Sequence, residues 1–270
     1  MGKALVLRPL AIAAASADSS AAGHLPAYAV NDHAGIVWKS FGGASADALN
    51  LDLGAGNAKA IDLALFFGCT GATTSWQLSV AALNDDLSVA WASASAQFLA
   101  GSTPPSHGRG VGYWRADPAS PPPAKRHWRF TFSNLGGAQV TIARAAIGQA
   151  IALERNFAFG AAFGVRDLGR VEFSPMAALL RRRAARLRVL GLSFPAVRKD
   201  EAEGKIQPLL ELSAGQEPIA LVTDPDAHAL RQQRCWMGWL EGELGTVWPR
   251  PSGFEWRANL VDMIPIPKAV

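Results

Sequence analysis

The chain has 270 residues, 49% of them apolar, and a formal net charge of +4; that is enough apolar material for buried cores and a length that favours two domains. Nine Trp and twelve Phe against two Tyr, with 26 Gly and 17 Pro, suit short strands joined by turns and speak against a helical bundle. The only cysteines, Cys69 and Cys235, exclude a disulfide framework and read as buried thiols, and the modest charge gives no reason to expect nucleic acid.

At the start of the chain, Lys3, an apolar run and small residues have the outline of a secretory signal, but Arg8 and Pro9 break the run. No apolar run reaches the length of a membrane span, so a soluble protein without membrane insertion is expected. Residues 4–12 read as a first strand and 36–40 as a short extended piece. Leu49, Leu51 and Leu53 then alternate with Asn50 and Asp52, and beyond Gly54-Ala55-Gly56-Asn57, Ile61, Leu63 and Leu65 alternate with Asp62 and Ala64. This pattern predicts a half-buried hairpin. Trp76, Leu78 and Val80 give another strand, and residues 91–98 a further strand or turn.

Residues 101–124 are rich in Gly and Pro and read as a long loop carrying His107, Arg109, Tyr113 and Trp114. Trp128, Phe130 and Phe132 alternate with Arg129, Thr131 and Ser133, Gly136-Gly137 turns the chain, and residues 139–143 pair back. A domain boundary is placed at residues 152/153. In the second part a strand is expected at 171–173, and Ser174-Pro175 reads as the cap of a helix over 176–183. Around residues 186–194 the apolar phase shifts from Leu187 and Val189 to Leu190, Leu192 and Phe194, which predicts a bulge near Gly191. Residues 206–212 read as a short amphipathic helix. Strands are expected at 219–222, 236–240 and 254–260.

The chemistry-bearing motifs are sparse. Gly54-Ala55-Gly56 follows a strand, but a dinucleotide loop would need a third glycine where Lys59 stands, and the next residues alternate instead of opening a helix. The five histidines form no HExxH pair, no GxSxG elbow occurs, and Asp224-Pro225-Asp226 with His228 is turn chemistry. No cofactor, metal or catalytic residue is therefore expected, and the chain reads as non-enzymatic. Two surfaces remain. His107, Arg109, Tyr113 and Trp114 form a candidate glycan or partner loop, because aromatic rings stack on sugars while Arg and His supply hydrogen bonds. Arg181, Arg182, Arg183, Arg186 and Arg188 are a solvated face or a candidate subunit interface, where arginine is enriched.

Residues 1–150 resemble the discoidin-type, galactose-binding-like jelly roll. The resemblance is carried, in order, by the small residues 14–20, Val37-Trp38-Lys39-Ser40, Leu51-Asp52-Leu53-Gly54, Ser75-Trp76-Gln77-Leu78, Arg126-His127-Trp128-Arg129-Phe130 and residues 141–148. It implies a β-sandwich with ligand loops at one end, in a family that includes binders of glycans, lipids or proteins. Residues 153–270 are similar to tail proteins of long-tailed bacteriophages, through residues 169–175 with the arginines after them, residues 218–225 with Trp236-Met237-Gly238-Trp239-Leu240, and residues 254–261. This second resemblance implies a distal tail or minor tail protein located in the virion tail tip or baseplate. It would form a homo-oligomeric ring, a hexamer or trimer, that contacts other tail proteins. The expectation is thus an all-β chain with minor helix: a jelly-roll domain over 1–152, then a smaller β-sandwich or barrel-like domain over 153–270. The leading function is structural, in a phage tail, and the alternative is a carbohydrate-binding adhesin or receptor-binding protein recognising cell-surface glycan.

Overall fold

The computed structural model describes residues 2–213, 215–242, 245–250 and 253–266. The chain is mostly β-sheet with little helix, and it divides into two compact units. The first comprises Met1–Pro105, Arg109–Ala152 and Ala220–Cys235; the second comprises Ser106–Gly108, Leu153–Ile219 and Trp236–Val270. The division is interleaved, because Ala220–Cys235, which lies beyond residue 152, folds with the first unit.

The first unit is a β-sandwich built from β1 (Leu5–Leu7), β2 (Ala14–Ala17), β3 (Trp38–Lys39), β4 (Ala46–Asp52), β5 (Leu63–Cys69), β6 (Gln77–Leu83) and β7 (Val89–Ala92). It continues with β8 (Ala96–Gln97), β9 (Gly110–Arg115), β10 (His127–Ser133), β11 (Thr141–Ile142), β12 (Arg144–Gly148) and β13 (Ala150–Ala152). One sheet has the order β2-β4-β10-β6-β7, with β8 also on β6; the facing sheet is β12-β5-β9, and β3 pairs with β11. The alternation that made β4 and β10 legible in sequence sends Leu49, Leu51, Trp128, Phe130 and Phe132 into the core. There Phe66 of β5 meets Phe130 edge-on with centroids 5.3 Å apart, Phe132 at 5.6 Å and Phe98 at 5.9 Å. Such pairs add about 0.5–1.5 kcal/mol each beyond the area they bury.

The expected hairpin across Gly54 is corrected. β4 pairs with β2 and β10, while β5 pairs with β9 and β12. The turn, with Gly54 and Gly56 at φ +90° and +77°, carries the chain from one sheet to the other. Alternation reports that a face is buried, and two strands facing each other across a sandwich satisfy it as well as two paired neighbours do. All seven residues of β5 are buried, which fits a strand covered on both faces. The long loop expected at 101–124 is corrected too: β9 runs through it and pairs with β5. Cys69 and Cys235 are buried thiols outside any disulfide, and burial pushes the Cys69 thiol up to about 12.

In the second unit the chain forms β14 (Ala162–Asp167), β15 (Arg170–Phe173), β16 (Leu179–Arg182) and β17 (Arg186–Val197). Next come α1 (Lys199–Glu201), a π-helical turn over Ala202–Ile206 and α2 (Gln207–Ser213). After β18 (Ile219–Val222), of which Ala220–Val222 belong to the first unit, β19 (Cys235–Leu240), β20 (Thr246–Arg250) and β21 (Gly253–Asp262) complete the chain. The expected smaller sandwich or barrel takes the form of one antiparallel sheet, β14-β17-β21-β19, with β20 on β21. Phe194 stacks on Trp256 with centroids 5.0 Å apart at its centre.

The helix expected at 176–183 is corrected to a β-ribbon. β14 and β17 pair up to Asp167↔Arg186, Leu168 N–H donates to Ala185 at 3.0 Å, and β15 and β16 carry the pairing on to Phe173↔Leu179. Between the two ladders, Leu168 and Gly169 stand opposite Arg183, Ala184 and Ala185, so one extra residue makes a bulge. Ser174 and Pro175 begin the tip turn, where Ala177 has φ +58°. Helix propensity is a weak local prior, and pairing with Arg170–Phe173 overrides it. The bulge expected near Gly191 does not fall at that residue, which pairs in continuous register with Ala162 and with Asn259; β17 shifts register against β21 between Phe194 and Val197 instead.

β18 pairs with β1, which also pairs with β13: Leu5↔Val222 and Leu7↔Ala220 on one side, Leu5↔Ala152 and Leu7↔Ala150 on the other. After β18 the return segment continues over β9. Gln232 Oε1 accepts the Val111 N–H at 2.8 Å, Gln232 Nε2 donates to the Gly101 carbonyl, and Arg231 Nε donates to the Ala100 carbonyl at 2.7 Å.

Candidate functional site

The outward face of the larger sheet of the sandwich holds the site. With Leu49, Leu51, Trp128 and Phe130 turned inward, Asn50 and Asp52 of β4 and His127 and Arg129 of β10 must point outward. Register makes them neighbours, because His127 lies opposite Asp52 and Arg129 opposite Asn50. The same row extends to Ala14 of β2, Leu83 of β6 and Val89 of β7. These residues, with Ser16 and Leu87, line a groove of about 540 Å³, within the range of small-molecule sites.

Its polar half is fixed by two ion pairs. Arg126 grips Asp52 with two bonds, Nε to Oδ1 and Nη2 to Oδ2, each 2.6 Å. The Arg126 side chain is the largest influence holding the Asp52 carboxyl down at about 2, with the Gly54 N–H adding to it against the opposing effect of burial. Arg129 donates to Asp18 Oδ2 at 2.5 Å and to Asn50 Oδ1 at 3.3 Å. The His127 ring has Asp52 as its polar neighbour, with Nδ1 3.8 Å from Oδ1, a separation beyond a hydrogen bond. At the other end of the row Leu87 and Val89 are 61% and 63% exposed, forming an aliphatic rim. The groove therefore combines fixed hydrogen-bonding groups with an apolar wall, and its Asp52 and Arg129 are each paired with an opposite charge, Arg126 and Asp18.

The residues expected to form a loop site fall elsewhere. Tyr113 and Trp114 are strand residues of β9, buried at 9% and 4% exposure, and they point to opposite faces. Trp114 enters the core, edge-on to Trp91 with centroids 6.2 Å apart. Tyr113 lies under the return segment, with the Arg231 guanidinium carbon 4.3 Å from its ring centroid. Neither ring offers a face to a sugar. His107 is buried, and Arg109 is partly exposed with Nη1 3.4 Å from the Ala34 carbonyl.

The arginine group separates as well. Arg181 and Arg182 are exposed on β16 and Arg183 is exposed just after it; Arg186 is partly exposed at the start of β17. Arg188 is 7% exposed and bonded to Asp262, so it is corrected from a surface residue to a core residue. The phase explains this: Arg188 shares the inward face with Leu190, Leu192 and Phe194.

The groove residues were overlooked in the sequence because each is the outward partner in an alternating strand, the usual place of a solvated side chain. Their grouping depends on register between positions such as Asn50 and Arg129, which are 79 residues apart. Among the described residues, no group of three or more His, Cys, Asp and Glu side chains is gathered for a metal ion.

No family model and no curated protein matches the chain. Among solved structures, the family 32 carbohydrate-binding module from Clostridium perfringens NanJ in complex with galactose is 17% identical, with a TM-score of 0.38, over 50% of this chain and 91% of that one. The family 32 module of AlyQ in complex with 4,5-unsaturated mannuronic acid is 20% identical, with a TM-score of 0.39, over 52% and 96%. A Streptococcus pneumoniae fucose binding module is 15% identical, with a TM-score of 0.38, over 52% and 94%. Each of these matches covers about half of this chain.

Proposed function

We propose that the first unit is a non-enzymatic saccharide-binding module and that the groove across β2, β4, β10, β6 and β7 takes the sugar. The observation that supports this most is the row itself. Asn50, His127 and Arg129 offer planar hydrogen-bonding groups to hydroxyls, while Leu83, Leu87 and Val89 give an aliphatic wall for the C–H face of a ring. Because the charged lining residues Asp52 and Arg129 are each paired with an opposite charge, the groove suits a neutral saccharide of one or two rings. Titration of the full chain with a panel of neutral mono- and disaccharides, followed by calorimetry, tests the reading. Binding that is lost in Asn50→Ala and in Arg129→Ala, with unfolding midpoints unchanged, is expected; no binding across the panel overturns it.

A second reading is a structural component of a bacteriophage tail tip or baseplate, located in the virion and assembled as a ring with other tail proteins. The exposed ribbon of β15 and β16 favours an assembly role. Electron microscopy of the particle tests this reading, and failure to find the chain in the tail overturns it.

A further inference from the structure

The β15–β16 ribbon presents an unusual surface for a free protein. All eight of its strand residues are exposed, among them Val171 at 66%, Phe173 at 73%, Leu180 at 54% and Leu179 at 41%, with Met176 at the tip at 89%. Register sets Val171 and Phe173 beside Leu179 on one face, which makes a contiguous apolar patch on a protruding element. Such patches mark interaction sites. Neither outer edge is paired among the described residues, since β15 and β16 form a two-stranded sheet of their own, and a two-stranded ribbon is at best marginally stable alone.

Charge narrows the partner. Across the ribbon and its return, Arg170, Arg181, Arg182 and Arg183 stand against Glu172 alone, so two such ribbons repel. The same unit carries the opposite surface: on and after the helical segment Asp200, Glu203, Glu211 and Glu217 are exposed, with Leu212 at 55% exposure among them, Lys199 and Lys205 the cations within the segment, and Arg198 just before it paired with Glu154. A cationic, apolar ribbon and an acidic helical face bearing an exposed leucine are complementary, and a contact between unlike patches of identical chains is head-to-tail.

We propose that the β15–β16 ribbon of one copy docks on the acidic face of the α1–α2 segment of a second copy, generating a head-to-tail assembly. The inference rests on the assembly reading but not on a tail location, and it uses no groove residue. Self-association of the purified full chain and its place in a particle are separate measurements, so either can fail alone.

Sedimentation velocity of the full chain over a concentration series, at low and high salt, tests the contact. Species heavier than the monomer are expected at low salt and are expected to weaken as salt screens the charges. Arg181→Glu/Arg182→Glu/Arg183→Glu and, separately, Asp200→Arg/Glu203→Arg/Glu211→Arg are each expected to abolish association. An equimolar mixture of the two variants is expected to restore it, because each then meets a complementary surface. All the substituted residues are exposed, and circular dichroism checks that both variants fold. A wild-type chain that stays monomeric at every concentration overturns the proposal, and so does association that survives reversal of the helical charges.

Discussion

Arg188 of β17 and Asp262 of β21 stand opposite each other in the sheet of the second unit, with Nε and Nη2 of the arginine 2.7 and 2.5 Å from Asp262 Oδ2. Asp262 is fully buried, and the guanidinium also lies 4.0 Å from the Trp236 ring centroid. Burial pushes the Asp262 carboxyl up, and Arg188 pulls it the other way. Removing one partner leaves an uncompensated charge in the core, which costs about 3–5 kcal/mol. Arg188→Met and Asp262→Leu are each expected to lower the urea midpoint strongly. The double variant is expected to recover most of the loss, because an apolar pair of similar volume replaces both charges. Equal losses in the single and double variants would show that the coupling is absent.

The Asp52–Arg126 pair should shape acid stability. The Asp52 carboxyl titrates at about 2 in the folded chain against an ordinary value of 3.8. A depressed folded value means that the contribution is fully present above the unfolded value and is lost as pH falls through the folded one. The window is therefore from about pH 4 down to about pH 2. Asp52→Asn is expected to lose stability near neutrality and to show a flatter acid limb than the wild type, read as unfolding midpoints across that range. An unchanged acid limb would assign the slope to other carboxylates.

Trp114 distinguishes a core residue from a binding residue. Its ring is 4% exposed and packs edge-on to Trp91, so Trp114→Ala is expected to cost about 3–5 kcal/mol of stability. The exposed rim variant Val89→Ser should be close to neutral for folding. Thermal denaturation of the two variants side by side gives the measurement. A Trp114→Ala chain as stable as wild type would return the ring to the surface.

Much of the sandwich was legible because β4, β6 and β10 have one buried and one open face, so Leu49, Leu78 and Phe130 announce themselves by period. β9 is buried through most of its length, on both faces, so it shows no alternation; glycines and prolines on either side then made it look like loop. The β17 phase was misread because a buried arginine breaks the apolar rule at Arg188, and its explanation, Asp262, lies 74 residues away. The groove was hidden for the same reason: Asn50 and Arg129 look like solvated residues until register brings them together.

The return of Ala220–Cys235 to the first unit is the least local feature of the fold, and it also changes which fragment can fold. Gln232 is 1% exposed and serves both the Val111 N–H and the Gly101 carbonyl, while β18 completes the ladder on β1. Gln232→Ala would remove the side-chain partner of the buried Val111 N–H, at about 1–3 kcal/mol for an unsatisfied group, and that of the part-buried Gly101 carbonyl. A fragment ending at Ala152 loses these bonds together with the Arg231 contact on Tyr113, and it exposes the Tyr113 face of β9. Full-chain Gln232→Ala is expected to fold with a lowered midpoint, whereas the fragment is expected to bind a hydrophobic dye and to show weak amide protection in β9 by hydrogen exchange. A fragment as protected in β9 as the full chain would mean that the return segment adds nothing to the sandwich. Sugar binding is accordingly measured on the full chain, where the sheet that carries Asn50 and Arg129 rests on an intact partner sheet.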